Sequence, residues 1–388
     1  MILVVTQGAG SLDMYSRRLA ENLDIGILRT GISQKIERRF GAAWFSPRSL
    51  GALCIDPIFV RKLNSTHDIV HLPNHHLGRY GNFLKIPFVI TVHDLIRYFD
   101  MMNYNTFIHP PNARDRFYLN LDFKGIRKAT RIIAVSQATK NDLVQHLGVS
   151  DDQVSVVHAG VDHTLFRPVS ERMYGNPYIL FVGSEHPRKN FAAVVKAFAL
   201  LKLERKFKDL KLVKVSPAGG QEAEFRKRTM MLIDALDLHR DVVFTDFVPA
   251  ANLPAFYSGA QVYILPSLYE GFGLTILEAM ACGCPVITSN ISSLPEVTAD
   301  AAIKIPPQDI DSLTHAIREV LENNDLRKEL IDKGLKRAAE FSWQRMAKET
   351  QAVYEQVTRE ISRDVARNPQ MVNVAPVIPN HYLSQHPK

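Results

Sequence analysis

Two glutamates and an arginine-lysine pair are the side chains of this sequence best placed to do chemistry. The stretch PSLYEGFGLTILEAMACGCPVITS, residues 266–289, sets Glu270 and Glu278 eight residues apart around Gly271 and Gly273. The run before it, VYILPS, has the character of a buried strand. GFGLTILEAMACG then opens on glycines, places Leu274, Leu277 and Ala281 on one helical face, and stops at Gly283. Strand, glycine turn and helix together make an anion cradle, because free backbone amides and the positive end of the helix dipole face the ligand and glycines let it come close. Ionised carboxylates only accept hydrogen bonds, so beside a diphosphate they need hydroxyl donors. Sugars supply hydroxyls, and the pair reads as two receptors for separate parts of one ligand.

Arg188 and Lys189, in VGSEHPRKN, follow the strand YILFVG and its glycine. An isolated pair of this kind is ordinarily an exposed helix start; its place after a strand favours a fixed cation site, which stabilises the charge that builds on a departing phosphate. His93 ends the strand of FVITVHD and points to where ligands bind in open α/β sheets, the alternative being a strand-end turn with Asp94 as its cap. His71, His75 and His76 follow another strand; without a carboxylate or cysteine at ligand spacing, acceptor contact is expected rather than a metal site. Gly8 and Gly10 occupy the first strand-to-helix turn, but a dinucleotide fingerprint needs glycine where Asp13 stands, so an NAD site is disfavoured. Asp309, Asp311 and Ser136 each precede a helical stretch and read as caps.

The elements that must carry these residues alternate strand and helix throughout. ILVVT, DIVHL, PFVITV, RIIAVS and VSVVHAG are expected strands of a first series, and YILFVG, LKLVKVS, VVFTDFV, VYILPS and CPVITS of a second. Helical spacing marks Leu12–Asn22, Ala138–Leu147, Phe191–Leu201, Glu222–Leu236 and Leu313–Glu322. Such alternation implies α/β architecture with parallel sheets, here two Rossmann-like domains around a central cleft. The break falls at Leu165–Tyr178, giving domains over 1–168 and 169–365, with the last helix packing back on the first domain and a loose tail over 366–388.

Length and composition agree with a folded two-domain body: 388 residues, 46% hydrophobic and 22% charged. The apolar N-terminal run lacks the flanks of a signal peptide, no run reaches transmembrane length, and three cysteines, Cys54, Cys282 and Cys284, make no disulfide framework, so a cytoplasmic location is expected. Residues 1–170 carry 20 Lys and Arg against 14 Asp and Glu, which places +6 of the net +7 there. That bias suits an anionic acceptor or peripheral contact at the inner membrane face, with a plainly solvated basic face as the alternative. Clusters such as KIERRF and GIRKATR lack the aromatic interleaving of a nucleic-acid surface.

The segment LPSLYEGFGLTILEAMACGCPVITSNISSLPEV resembles the E-x7-E region of the retaining GT-B glycosyltransferases of family four. VSQATKNDLVQHLGVSDDQVSVVHAGVD, ILFVGSEHPRKNF, VVFTDFVPAANLPAFYSGAQVYILPS and FSWQRMAKET stand in the family's order, and PRKN resembles a subgroup of bacterial mannosyltransferases. The resemblance covers residues 85–355 closely and implies a GT-B fold and hexosyl transfer from a nucleoside-diphosphate sugar, GDP- or UDP-linked, to a saccharide or lipid-linked acceptor. It implies that Glu270 faces the donor sugar, that Glu278 holds the ribose, and that the amides of Gly271, Phe272, Gly273 and Leu274 meet sugar and diphosphate. Lys189 takes the place of the family's diphosphate lysine and His93 that of a histidine on the sugar or its phosphate. The arginine that most members carry after the glycine is Ser184 here, with Arg188 as the substitute cation. Gly10 lies in the loop that approaches diphosphate and acceptor, Glu296 is structural, and neither metal nor other cofactor is implied. A sugar phosphorylase of the same fold, a non-catalytic sugar-nucleotide sensor and an NAD enzyme are the competing readings.

Overall fold

A computed structural model of the chain describes residues 1–6, 10–29, 56–66, 68–104, 107–171, 173–216, 222–245 and 247–367. Gly8, Cys54, the KIERRF cluster and the segment beyond 367 lie outside them.

The described residues form two six-stranded sheets, and every strand pairing in both is parallel. The first contains β1 (Ile2–Val5), β2 (Gly26–Arg29), β3 (Val70–Leu72), β4 (Phe88–Val92), β5 (Arg131–Ala134) and β6 (Val154–Val156), in spatial order β2-β1-β3-β4-β5-β6. The second contains β7 (Tyr178–Val182), β8 (Lys211–Val215), β9 (Val242–Thr245), β10 (Val262–Leu265), β11 (Val286–Ser289) and β12 (Ile303–Ile305), in order β12-β11-β10-β7-β8-β9. The central strands are buried along their whole length, as parallel strands covered by helices on both faces must be, which is why they read as unbroken apolar runs.

Strand order reverses once in each sheet, between β1 and β3 in the first and between β7 and β10 in the second. Loops leaving the carboxyl ends of neighbouring strands diverge at such a point and open a crevice. The turns after β7 and β10 carry Arg188, Lys189 and Glu270, and the turn after β4 carries His93.

The final helix, Trp343–Arg367, returns to the first sheet. Its Tyr354 hydroxyl lies 2.6 Å from His71 Nδ1, and Glu360 pairs with Arg131 at the start of β5. His71 is fully buried and meets Thr91 Oγ1 at 2.8 Å through its other nitrogen, so both ring nitrogens are occupied inside the core. Burial, with the neighbouring His93 adding to it, presses its pKa down to about 3. The expected acceptor contact by His71 is therefore corrected: this neutral ring fastens the last helix to the first sheet. Among the described helices none is long and apolar enough to cross a membrane.

Candidate active site

Glu270 sits where the turns after β7 and β10 meet, and only 7% of it is exposed. Its Oε1 lies 2.6 Å from Lys189 Nζ and accepts from Ser267 Oγ at 2.7 Å, while Oε2 accepts from Arg188 Nη1 at 2.9 Å. Burial works against ionisation here, but the charges of Arg188 and Lys189, with hydrogen bonds from Lys189 and Ser267, outweigh it and hold the carboxyl down at about 2. Burial also presses the Lys189 ammonium below its ordinary value; the charge of Glu270 opposes this and that of Arg188 adds to it. The resemblance puts the two cations on the diphosphate and the carboxylate on the sugar; the fold brings all three into one cluster. An ammonium has three donors, a guanidinium five and a carboxylate about four acceptor sites, so each group retains capacity for a ligand.

Local backbone fixes this cluster. Pro187–Lys189 form a single 3-10 turn, closed by Asn190 in the left-handed region at φ 55°. The Asn190 side-chain amide donates to the carbonyls of Pro266 at 3.1 Å and Pro307 at 2.6 Å, tying the cationic turn to the loop that carries Glu270. Ser292 and Ser293 donate to the Glu270 backbone carbonyl at 2.5 and 2.9 Å. Ser184, half-buried beside Gly183, brings no cation, and Arg188 supplies one a turn later. Sequence reasoning missed a second charged group next to it: Glu185, 8% exposed, pairs with fully buried Lys214 at 3.1 Å and with Arg226, whose guanidinium lies 4.1 Å over the Phe244 ring. A lysine inside the apolar strand run LKLVKV was the available signal, since a buried ammonium needs a carboxylate partner.

Eight residues after Glu270, Glu278 accepts from the Tyr257 hydroxyl at 3.0 Å inside helix Leu274–Ala281. Burial raises its carboxyl to about 7, against the Tyr257 hydrogen bond and the charge of Lys189. Between the glutamates the amides of Gly271, Phe272, Gly273 and Leu274, at the start of the helix, meet no protein acceptor among the described residues. Gly273 adopts φ 109° there, a conformation open to glycine, and the Phe272 ring stacks on His158 at 5.7 Å. Hydroxyl donors favour the ionised form of a carboxyl held this high, so if a nucleoside diphosphate places its ribose on Glu278, binding at about pH 6 should release protons. Calorimetry in two buffers of different ionisation enthalpy reads this directly, and Glu278→Gln removes it.

From the first domain, His93 donates its Nε2 hydrogen to the Pro73 carbonyl at 2.9 Å, since a carbonyl only accepts, and its ring packs edge-on against Tyr15 at 4.7 Å. Burial lowers its pKa, against the Pro73 hydrogen bond and the charge of Asp94, so the ring is neutral with Nδ1 as its acceptor. His75 is buried, and its Nδ1 accepts from the His93 amide at 3.3 Å, so it too belongs to the scaffold and not to an acceptor surface. Gly10 caps helix Ser11–Glu21, with its amide 3.3 Å from Asp13 Oδ2; the aspartate that breaks the dinucleotide pattern thus serves the helix start. Asp309 caps its helix through the Ser312 amide at 2.9 Å. Glu296 bridges the domains, accepting from the Gln137 amide at 2.8 Å and lying 2.7 Å from His158 Nε2. Among the described residues, no group of three or more His, Cys, Asp or Glu side chains is arranged to hold a metal ion.

Residues 14–165 match Glycosyltransferase Family 4 and residues 162–337 match Glycosyl transferases group 1. The chain is 28% identical over 275 residues to the O-antigen chain mannosyltransferase B of Escherichia coli, a match covering 69% of each protein. It is 32% identical over 249 residues to the MMP alpha-(1->4)-mannosyltransferase of Mycolicibacterium hassiacum, covering 63% of this chain and 58% of that one. The serotype-specific mannosyltransferase WbdA of Escherichia coli matches at 30% over 268 residues, 66% of this chain but 32% of its own length. In three dimensions, Anabaena HepE in complex with UDP and glucose superposes with a TM-score of 0.73 at 18% identity, covering 91% of this chain and 98% of that one. Sucrose-phosphate synthase from Thermosynechococcus elongatus gives 0.72 at 21% identity, covering 93% and 100%. The chain belongs to the GT-B glycosyltransferases, with a family 4 domain at its N-terminal end and a group 1 domain at its C-terminal end.

Proposed function

We propose that this glycosyltransferase transfers a hexose, mannose before glucose-like sugars, from a nucleoside-diphosphate donor to an acceptor hydroxyl with retention of configuration. The observation that carries the proposal is the ionised carboxylate of Glu270, held by Arg188, Lys189 and Ser267 beside four backbone amides that have no protein acceptor. The amides and cations take the diphosphate, Glu270 takes a sugar hydroxyl at its remaining lone pair, and Glu278 takes the ribose. Mannose comes from the activities carried by the names of the relatives in Escherichia coli and Mycolicibacterium hassiacum.

The state of Glu270 bears on mechanism. A double displacement needs a free carboxylate nucleophile, with its partner about 5–5.5 Å away across the bond that breaks. A group whose carboxyl is held at about 2 is a weak base and a weak nucleophile. The acceptor proton therefore goes to the leaving phosphate in a front-face substitution, while Arg188 and Lys189 balance the charge that builds on that phosphate. Those cations do the work a divalent ion would do, so the proposed reaction needs no metal. The basic first half of the chain suits an anionic or lipid-linked acceptor used in polysaccharide or glycolipid assembly, at the cytoplasmic membrane face.

A donor screen by thermal shift tests the reading. GDP-mannose should raise the unfolding temperature more than GDP, UDP, UDP-glucose or NADH, since a ligand at 100 times its dissociation constant adds about 2.7 kcal/mol of stability. A larger rise with NADH, or no rise with any nucleotide sugar, would overturn it. Release of sugar phosphate on adding inorganic phosphate would instead favour a phosphorylase.

A further inference from the structure

Both neighbours of Glu270 are held by the opposite domain. Tyr269, on one side, leaves the second domain and is buried in the first, with its ring 5.4 Å from Phe99 and 5.3 Å from Phe107. Its hydroxyl donates to Asp142 Oδ2 at 2.5 Å. Gly271, on the other side, offers its carbonyl to Ser136 Oγ at 2.7 Å and to Thr139 Oγ1 at 3.3 Å. Ser136 caps helix Gln137–Leu147, and Thr139 and Asp142 belong to it. A single first-domain helix therefore grips the chain on either side of the buried carboxylate.

The same grip reaches a cation. Arg188 donates through its guanidinium to the Tyr269 carbonyl at 3.3 Å and through its amide to the Phe107 carbonyl at 3.1 Å, while its carbonyl accepts from the Leu268 amide at 2.7 Å. Phe107 is thus shared between the Tyr269 pocket and the cationic turn.

We infer that helix Gln137–Leu147 is a positioning element for transfer: closing the domains seats Tyr269 on Asp142 and the Gly271 carbonyl on Ser136, and this sets Glu270 and Arg188 in reacting geometry. Nucleotide held by Glu278 and the free amides stays on the second domain and does not need the clasp; the chemical step does. A hydroxyl bonded to a carboxylate, as in this partly buried pair, is a charge-assisted contact, stronger than a neutral pair. Coupling of this kind makes turnover conditional on closure, which keeps water from the donor sugar until the acceptor side is in place.

The inference rests on the proposed transfer reaction, and its test has an arm that does not depend on it. Tyr269→Phe keeps the ring in its pocket and deletes only the hydroxyl. With GDP-mannose as donor, kcat should fall about tenfold while the dissociation constant for GDP stays within about twofold of the native value. Asp142→Ala should cost as much, the double variant no more than either single one, and Asp142→Asn, which keeps an acceptor, should recover much of the rate. Independently of any donor, hydrogen exchange over residues 266–273 of the ligand-free chain should quicken about fivefold in Tyr269→Phe and in Asp142→Ala. Native exchange in both variants would overturn the inference even if no donor were turned over. A Tyr269→Phe enzyme with native kcat, or additive losses in the double variant, would overturn it where a donor is.

Discussion

Glu270→Ala lowers turnover by about a hundred- to a thousandfold, the cost of losing one preorganised electrostatic partner at a reacting centre. Three groups lose their partner at once: Arg188, Lys189 and Ser267 all end on this carboxylate. With the carboxylate gone, two mostly buried cations face each other uncompensated, and breaking a buried pair in this way costs about 3–5 kcal/mol of stability. The variant should therefore melt earlier as well as turn over more slowly, and Glu270→Gln, which keeps the shape and the Ser267 contact, separates the two effects.

The pH dependence of stability follows the same cluster. The Glu270 carboxyl falls from its ordinary 4.5 to about 2 on folding, so its contribution, about 3 kcal/mol, is present above 4.5 and is lost as pH falls toward 2. Glu278 has the opposite sign: raised from 4.5 to about 7, it keeps its proton in the folded chain and lowers stability as pH rises through that window. Acid unfolding of Glu270→Gln should accordingly be shallower below pH of about 4 than that of the native chain.

Gly271→Ala has the second largest expected effect, and its cause is steric. A β-carbon at this position would stand 1.8 Å from the His93 carbonyl oxygen and 2.9 Å from Asp94 Cβ. Neither can give way cheaply, because the His93 carbonyl is backbone at the end of a fully buried strand. The domains must part by more than an ångström to admit the methyl group, and a misplacement of that size costs about a hundredfold in rate when reacting atoms are held across a cleft. The clash lies between the sheets and not within either, so the unfolding temperature should move far less than kcat. Equal losses in both, measured by steady-state kinetics and calorimetry, would assign Gly271 to folding instead.

Much of this fold is legible in the sequence alone. Strands buried on both faces announce themselves as apolar runs, and the central strands of both sheets lie where those runs predict. Of the edge strands, β6 and β9 lie where VSVVHAG and VVFTDFV predict, whereas β2, which begins on a glycine in DIGILRT, and β12, three residues of AAIKI, are too short and mixed to carry a pattern. The glycine turn between the two glutamates could be read because all its parts are adjacent in sequence. Partners far apart in the chain could not: nothing in PRKN says that Arg188 ends on a glutamate 82 residues later, or that Tyr269 crosses to Asp142 127 residues earlier. His71 shows the same limit, since its partner Tyr354 arrives from the last helix, 283 residues on. Local pattern fixes elements; long-range pairing decides which polar residues are site and which are scaffold.

The central claim is that Glu270 reads the sugar and Glu278 the nucleotide. Calorimetric titration of GDP and of GDP-mannose against the native chain, Glu270→Gln and Glu278→Gln tests it in one set of curves. Glu278→Gln should weaken both ligands alike. Glu270→Gln should leave GDP bound at least as tightly as in the native chain, because Arg188 and Lys189 lose a competing anion, and should lose the extra affinity that mannose confers. Parallel losses for GDP in both variants, or an undiminished mannose increment in Glu270→Gln, would contradict the account.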